Sequence, residues 1–226
     1  DYSVQYLDGS TWVDVPKQFK TPAVPQPNYN KVEFPPLTAS AIRVLMTPKP
    51  GYGLGLKELQ VFHAESSGLG AGNVACANNQ IDAGTVFGNL TVPAGAWCDV
   101  LFTTVKGNVR VQQGSGIRIV GSTIGGNLQA DGTAGAADPL GSGENVVCGN
   151  TIAGNLTVTG STADSPWTIG DCGGNSIAGN LRFDGNASTH NTISNNTVHG
   201  SLACSANGGV SGSGNKAQGR LLGQCA

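Results

Sequence analysis

Charge is scarce in this chain. Twelve basic and 14 acidic residues among 226 leave a net charge of −2, which offers no basic footprint for nucleic acid and no polybasic patch for a membrane surface. No run is long and apolar enough to cross a bilayer as a helix. Methionine occurs once, and neither the leucine density nor the helical segment of a leucine-rich repeat is present. The stretch at Asp1 is strand-like rather than leader-like, and the expectation is a processed or trimmed piece of a longer precursor.

Glycine, by contrast, is abundant, with 35 residues beside 11 prolines. That composition suits an all-β chain rich in turns, with one large or two modest domains. The later part repeats. Ile177-Ala178-Gly179-Asn180-Leu181 has relatives at Val86–Leu90, Val105–Val109, Ile124–Leu128 and Ile152–Leu156, and degenerate copies at Val198–Leu202 and Ala217–Leu221. Their glycines are Gly88, Gly107, Gly126, Gly154, Gly179, Gly200 and Gly219, and the numbering advances between them by 19, 19, 28, 25, 21 and 19. A period near 20 with occasional insertions marks a solenoid.

Each copy ends a short apolar strand, turns at Gly-Asn and starts an alternating strand such as Leu90-Thr91-Val92. Glycine and asparagine tolerate left-handed backbone angles, which would suit a sharp corner. Alternation sends Leu90 and Val92 inward and Thr91 outward. A shift of 19 aligns Leu90 with Val109, Val92 with Val111, Cys98 with Ile117, Val100 with Ile119 and Val105 with Ile124. Residues 73–226 therefore read as a parallel, right-handed β-helix, with surface loops at Ala130–Glu144 and at Ser161–Gly174, the latter carrying Trp167. Asn89, Asn108, Asn127, Asn155 and Asn180 fall at equivalent corners and read as a stacked amide ladder. The glycosylation sequons at Asn89 and Asn155 arise from the repeat itself.

Residues 1–64 differ. Tyr2–Tyr6, Thr11–Val15, Lys31–Phe34, Ala41–Met46 and Leu56–Phe62 read as strands, with a turn at Asp8-Gly9-Ser10 and a proline-rich loop from Pro16 to Asn30. Residues 65–72, small and glycine-rich, read as a linker. The order of strands, with Tyr2-Ser3-Val4-Gln5-Tyr6, Asp8-Gly9, Trp12, Val15, Ile42-Arg43-Val44 and Gly55–Val61, resembles the second half of a discoidin-type (coagulation factor V/VIII C-type) galactose-binding-like module. Tyr29-Asn30, Phe34-Pro35-Pro36 and Gly51-Tyr52-Gly53 look like the versions appended to secreted bacterial glycoside hydrolases. The resemblance covers about a quarter of the chain and implies a partial jelly roll whose first half is absent here. It also implies that Glu58 helps to hold a structural calcium ion, whose other ligands would come from the absent half.

The six cysteines, Cys76, Cys98, Cys148, Cys172, Cys204 and Cys225, all lie in the repeats. Within consecutive pairs the numbering advances by 22, 24 and 21, close to one coil. Coils stack at ~4.8 Å, within the reach of a disulfide, so sequential pairing is expected, in an oxidising, extracellular location. Zinc is the rival reading, but no pair has the close spacing of a zinc knuckle.

Polysaccharide cleavage would need clustered carboxylates or a base beside a calcium site. The acids of residues 65–226 stand singly or in loops, Asp164 and Asp171 beside Trp167 being the best cluster, and His190 and His199 read as surface histidines. No catalytic residue emerges. For sugar stacking the candidates are Tyr52, between two glycines, Trp12, whose place in a strand beside Val13 and Val15 also suits it to a structural role, and Tyr29, which could equally pack on the prolines. The expected function is a non-catalytic, carbohydrate-binding accessory region of a secreted bacterial glycoside hydrolase. The alternatives are a β-helix lyase or hydrolase, and a surface adhesin. Expected partners are a polysaccharide or glycan and the upstream part of the same precursor as a separate chain. The latter would cover the apolar faces of residues 1–64, including Val4, Tyr6, Val13, Val15, Ile42, Val44, Met46, Leu59 and Val61; the alternative is that the β-helix covers them.

Overall fold

Every regular element among the described residues is a strand, as the alternating patterns require. The structure is a computed structural model that describes residues 1–21, 24–25, 30–51, 53, 55, 59, 61, 72–135 and 143–226. It divides into two compact units, Asp1–Glu65 and Ser66–Ala226.

In the first unit, β1 (Tyr2–Asp8) pairs antiparallel with β2 (Thr11–Asp14) on one side. Strands β3 (Phe19–Thr21) and β4 (Lys31–Glu33) form a separate antiparallel pair. The fifth strand, β5 (Ile42–Met46), pairs antiparallel with the other side of β1. The β3 strand lies inside the segment expected to be a loop. Phe19 is buried and Gln18 ties the segment down, donating to the carbonyls of Val4 and Val15 and accepting from the Val4 N–H. Val4 and Val15 are buried, whereas Val13 and Leu45 are exposed, as are Leu59 and Val61. The strand expected at 56–62 and the linker at 65–72 fall largely outside the described residues.

The second unit is a parallel β-helix. Each coil runs through three faces in turn. Face A contains Asn79–Asp82, Trp97–Leu101, Gly116–Val120, Asn145–Cys148, Trp167–Ile169, Asn191–Ile193 and Val210–Ser211. Face B contains the pairs Thr85–Val86, Thr104–Val105, Thr123–Ile124, Thr151–Ile152, Ser176–Ile177, Thr197–Val198 and Lys216–Ala217. Face C starts at Val74–Ala75, continues through Leu90–Val92 and ends at Leu221–Gly223. The three sheets have seven, seven and eight strands. All five side-chain alignments expected from the shift of 19 are register pairs. Inward columns such as Val86, Val105, Ile124, Ile152, Ile177 and Val198 are fully buried, each large side chain contributing about 1.5–3 kcal/mol by burial.

The Gly-Asn corner between faces B and C is built differently from expectation. Neither its glycines nor its asparagines have positive φ. Glycine is required there by proximity: a Cβ at Gly107, Gly126, Gly154, Gly179 or Gly200 would lie 2.5–2.6 Å from the Oδ1 of the asparagine one coil earlier. Left-handed residues sit instead at the other two corners. Ala83, Phe102, Gly121 and Gly149 follow face A, while Gly132, Gly160, Gly185 and Ala206 follow face C.

The disulfides Cys76–Cys98, Cys148–Cys172 and Cys204–Cys225 are formed, with Cα–Cα distances of 5.7, 5.6 and 5.3 Å. The pairing is as expected, but the partners are not stacked in strict register. Cys204 pairs in the ladder with Gly223, two residues before Cys225, and Cys98 pairs with Asn79, three residues after Cys76. Each bond runs diagonally between neighbouring coils. Among the described residues no helix is long and apolar enough to cross a membrane.

Candidate functional site

Alternation along β1, β2 and β5 sorts the first unit's side chains onto two faces. Because Leu7 lies opposite Trp12 and Gln5 lies opposite both Asp14 and Arg43, Trp12 shares a face with Gln5, Asp14 and Arg43. It does not share one with Val13 and Val15, the neighbours that had suggested a packing role. The Arg43 guanidinium lies 4.5 Å from the Trp12 ring centroid. Its Nε and Nη2 donate to Gln5 Oε1 at 2.8 and 2.6 Å, and Gln5 Nε2 donates to Asp14 Oδ1 at 2.8 Å. The result is a half-buried indole held beside an ordered chain of exposed hydrogen-bonding groups. An apolar ring next to fixed donors and acceptors is chemistry that can recognise a sugar.

Tyr29, Tyr52 and Glu58 lie outside the described residues. Among the described residues no three His, Cys, Asp or Glu side chains gather as a metal site.

In the solenoid, Trp167 is fully buried at the start of a face A strand. Its Nε1 donates to Ser161 Oγ at 2.9 Å and to Thr133 Oγ1 at 3.2 Å. The expected cluster with Asp164 and Asp171 is therefore not a platform for a ligand. The segment carrying Trp167 is drawn inward by its largest apolar side chain, and the exposed loop is shorter than Ser161–Gly174. Asp164 accepts from Thr162 Oγ1 at 2.5 Å, and His190 Nδ1 lies 3.1 Å from Thr189 Oγ1.

Asp131 and Asp184 share one column of face C, with Thr159 between them. Thr159 Oγ1 donates to Asp131 at 2.7 Å, and Arg182 donates to Asp184 at 2.8 Å. The Ser205 hydroxyl also donates to Asp184, and together with Arg182 it holds that carboxyl below the ordinary range. An acid so stabilised as the anion is a poor proton donor at neutral pH.

Two features escaped the sequence reading. Asp99 and Arg118 are buried partners on the outside of face A, 3.8 Å apart, beside Trp97 and Glu144. The depression they line encloses about 10 Å³, room for roughly one water. The shift of 19 aligns Asp99 with Arg118 and could have found them. The second is a buried ladder. Asn150 Nδ2 donates to Asn175 Oδ1 at 3.0 Å, Asn175 to Asn196 at 2.8 Å, and Asn196 to Asn215 at 3.0 Å. Each of these stands four residues before a corner glycine, so the same periodicity announced it. The expected corner ladder is present too. It begins at Asn73, continues through Asn89, Asn108, Asn127, Asn155 and Asn180, and ends on the Ser201 N–H.

No family model matches the chain, and no solved structure matches it.

Proposed function

We propose that the chain is a non-catalytic, carbohydrate-binding accessory region of a secreted bacterial glycoside hydrolase. Residues 1–64 are the sugar-binding part, in a discoidin-like arrangement, and the solenoid is its disulfide-pinned spacer. The observation that carries the reading is the Trp12 ring held against Arg43, with Gln5 and Asp14 aligned beside it. Tyr29 and Tyr52 are further candidates for stacking on a sugar. A right-handed coil follows from the hand that strand-to-parallel-strand connections within one sheet adopt. Three disulfides suit an oxidising, extracellular setting. Part-exposed Ile42, Val44 and Met46 leave an apolar face for further strands from a partner polypeptide.

A glycan array identifies the ligand, and calorimetry on Trp12→Ala and Tyr52→Ala then tests the site. Removing a stacked aromatic should weaken binding about tenfold, on the order of 1–2 kcal/mol, with the fold unchanged. An array without hits, or full affinity in Trp12→Ala, refutes the assignment.

A further inference from the structure

Face B carries an outward column that no part of the proposed carbohydrate site uses. Thr85, Thr104, Thr123, Thr151, Ser176 and Thr197 are consecutive register partners, and Lys216 ends the run. The last four of the six are exposed, and the first two are half-buried. Strand propensity favours threonine on any outward position, but it acts on all three faces alike. The matching column of face C reads Thr91, Arg110, Gln129, Thr157, Arg182 and Ala203. That of face A mixes Gln80, Asp99, Arg118, Val146 and Thr168. Only face B is uniform.

The hydroxyls of this column differ from those at the corners and in the loops. Thr103, Ser122, Thr133, Thr159, Ser161 and Ser205 all engage protein partners. Among the described residues, none of the six face B hydroxyls has a hydrogen-bond partner. Beside the column, the central coils place Gly125, Ala153 and Ala178, all exposed, so nothing larger than a methyl rises next to Thr123, Thr151 and Ser176. These three coils carry no charge, carboxylate or aromatic ring on this face, the groups that sugar recognition would call for.

From these observations we infer that face B binds ice. Its hydroxyls and methyls repeat at the coil spacing of ~4.8 Å, close to the oxygen repeat of the hexagonal ice lattice. A rigid β-helix offers them already ordered, with little entropy left to lose on binding. Over the three central coils, which lie between those carrying Phe87, Lys106 and His199 beside the column, water is the ligand that matches a one-dimensional array of small donor–acceptors.

The test uses the full chain in a slowly grown ice hemisphere and in a recrystallisation assay. The wild type should enter the ice several-fold above a non-binding reference protein and keep crystals small. Thr151→Lys should drop to the reference level, as should Ala153→Tyr, which raises a ring beside the column. Gln129→Lys on face C should behave as wild type. Circular dichroism verifies the fold of each. Rejection of the wild type by ice, or equal incorporation of both face B variants, overturns the inference. So does Thr151-dependent retention on microcrystalline cellulose with no retention in ice, which would assign the array to a crystalline polysaccharide. Trp12→Ala should leave ice binding intact, so this result and the glycan result fail separately.

Discussion

Gly154→Ala adds a single methyl, at a corner where φ is ordinary and the backbone itself raises no objection. The added Cβ would sit 2.5 Å from Asn127 Oδ1, 2.8 Å from the Gly126 carbonyl oxygen and 2.9 Å from its carbon. The amide can rotate away only by releasing the Asn155 N–H and Nδ2, now at 2.8 and 3.1 Å, and its own bond to Asn108 at 3.2 Å. At about 1 kcal/mol each, two or three bonds amount to ~2–3 kcal/mol. The backbone contacts cannot rotate and add about 1–3 kcal/mol of overpacking. The stiffer unfolded chain returns about 0.4–1 kcal/mol, leaving a net loss near 3–5 kcal/mol. Urea denaturation followed by the fluorescence of buried Trp167 measures it. The decisive comparison is the double mutant, since Asn127→Ala removes the oxygen that is struck. Gly154→Ala should then cost roughly 2 kcal/mol less than in the wild type. Additivity to within ~0.5 kcal/mol, or a neutral Gly154→Ala, would refute the contact as the reason for glycine.

Reduction of the three disulfides, which close loops of 22, 24 and 21 residues, should remove about 3 kcal/mol per bond on the chain-entropy account, seen as a large fall in Tm with reductant. Trp167→Phe should cost about 2–4 kcal/mol in denaturant titrations, from two lost hydrogen bonds and the space left behind. The Asp184 carboxyl, followed by carbon NMR, should titrate below the ordinary aspartate range and move up in Ser205→Ala. Because its folded pKa is the lower one, its contribution to stability is present above the unfolded pKa and fades as pH falls through the folded value.

The coils were legible because a solenoid writes each contact as a sequence interval. Leu90 above Val109 and Val105 above Ile124 follow from subtraction alone. What subtraction could not show was why the corner is glycine. The cause lies in the neighbouring coil, a full turn of the solenoid away, rather than in local backbone angles. Trp167 misled for a related reason. It follows Pro166 in a polar insertion, yet it is the register partner of Asn145 on face A, a pairing hidden by the variable loops. In the first unit, Trp12 and Arg43 are distant in sequence and meet only through antiparallel register. No period relates them.

The two kinds of corner divide the labour of the coil. Between faces B and C the count never changes, the numbering advancing by four from Val86 to Leu90, from Ile152 to Leu156 and from Val198 to Leu202. Between faces C and A it stretches freely, from Val111–Gly116 to Ala130–Glu144, while the Asn108–Asn127 and Asn127–Asn155 contacts stay at 3.2 and 3.1 Å. One edge of the prism thus acts as an index that resets the register on every turn, and another as a margin where text can be inserted without disturbing the lines around it. Grafting a foreign segment between Thr133 and Gly143 would add a display loop at a chosen height on the rod, with the rungs above and below it unmoved.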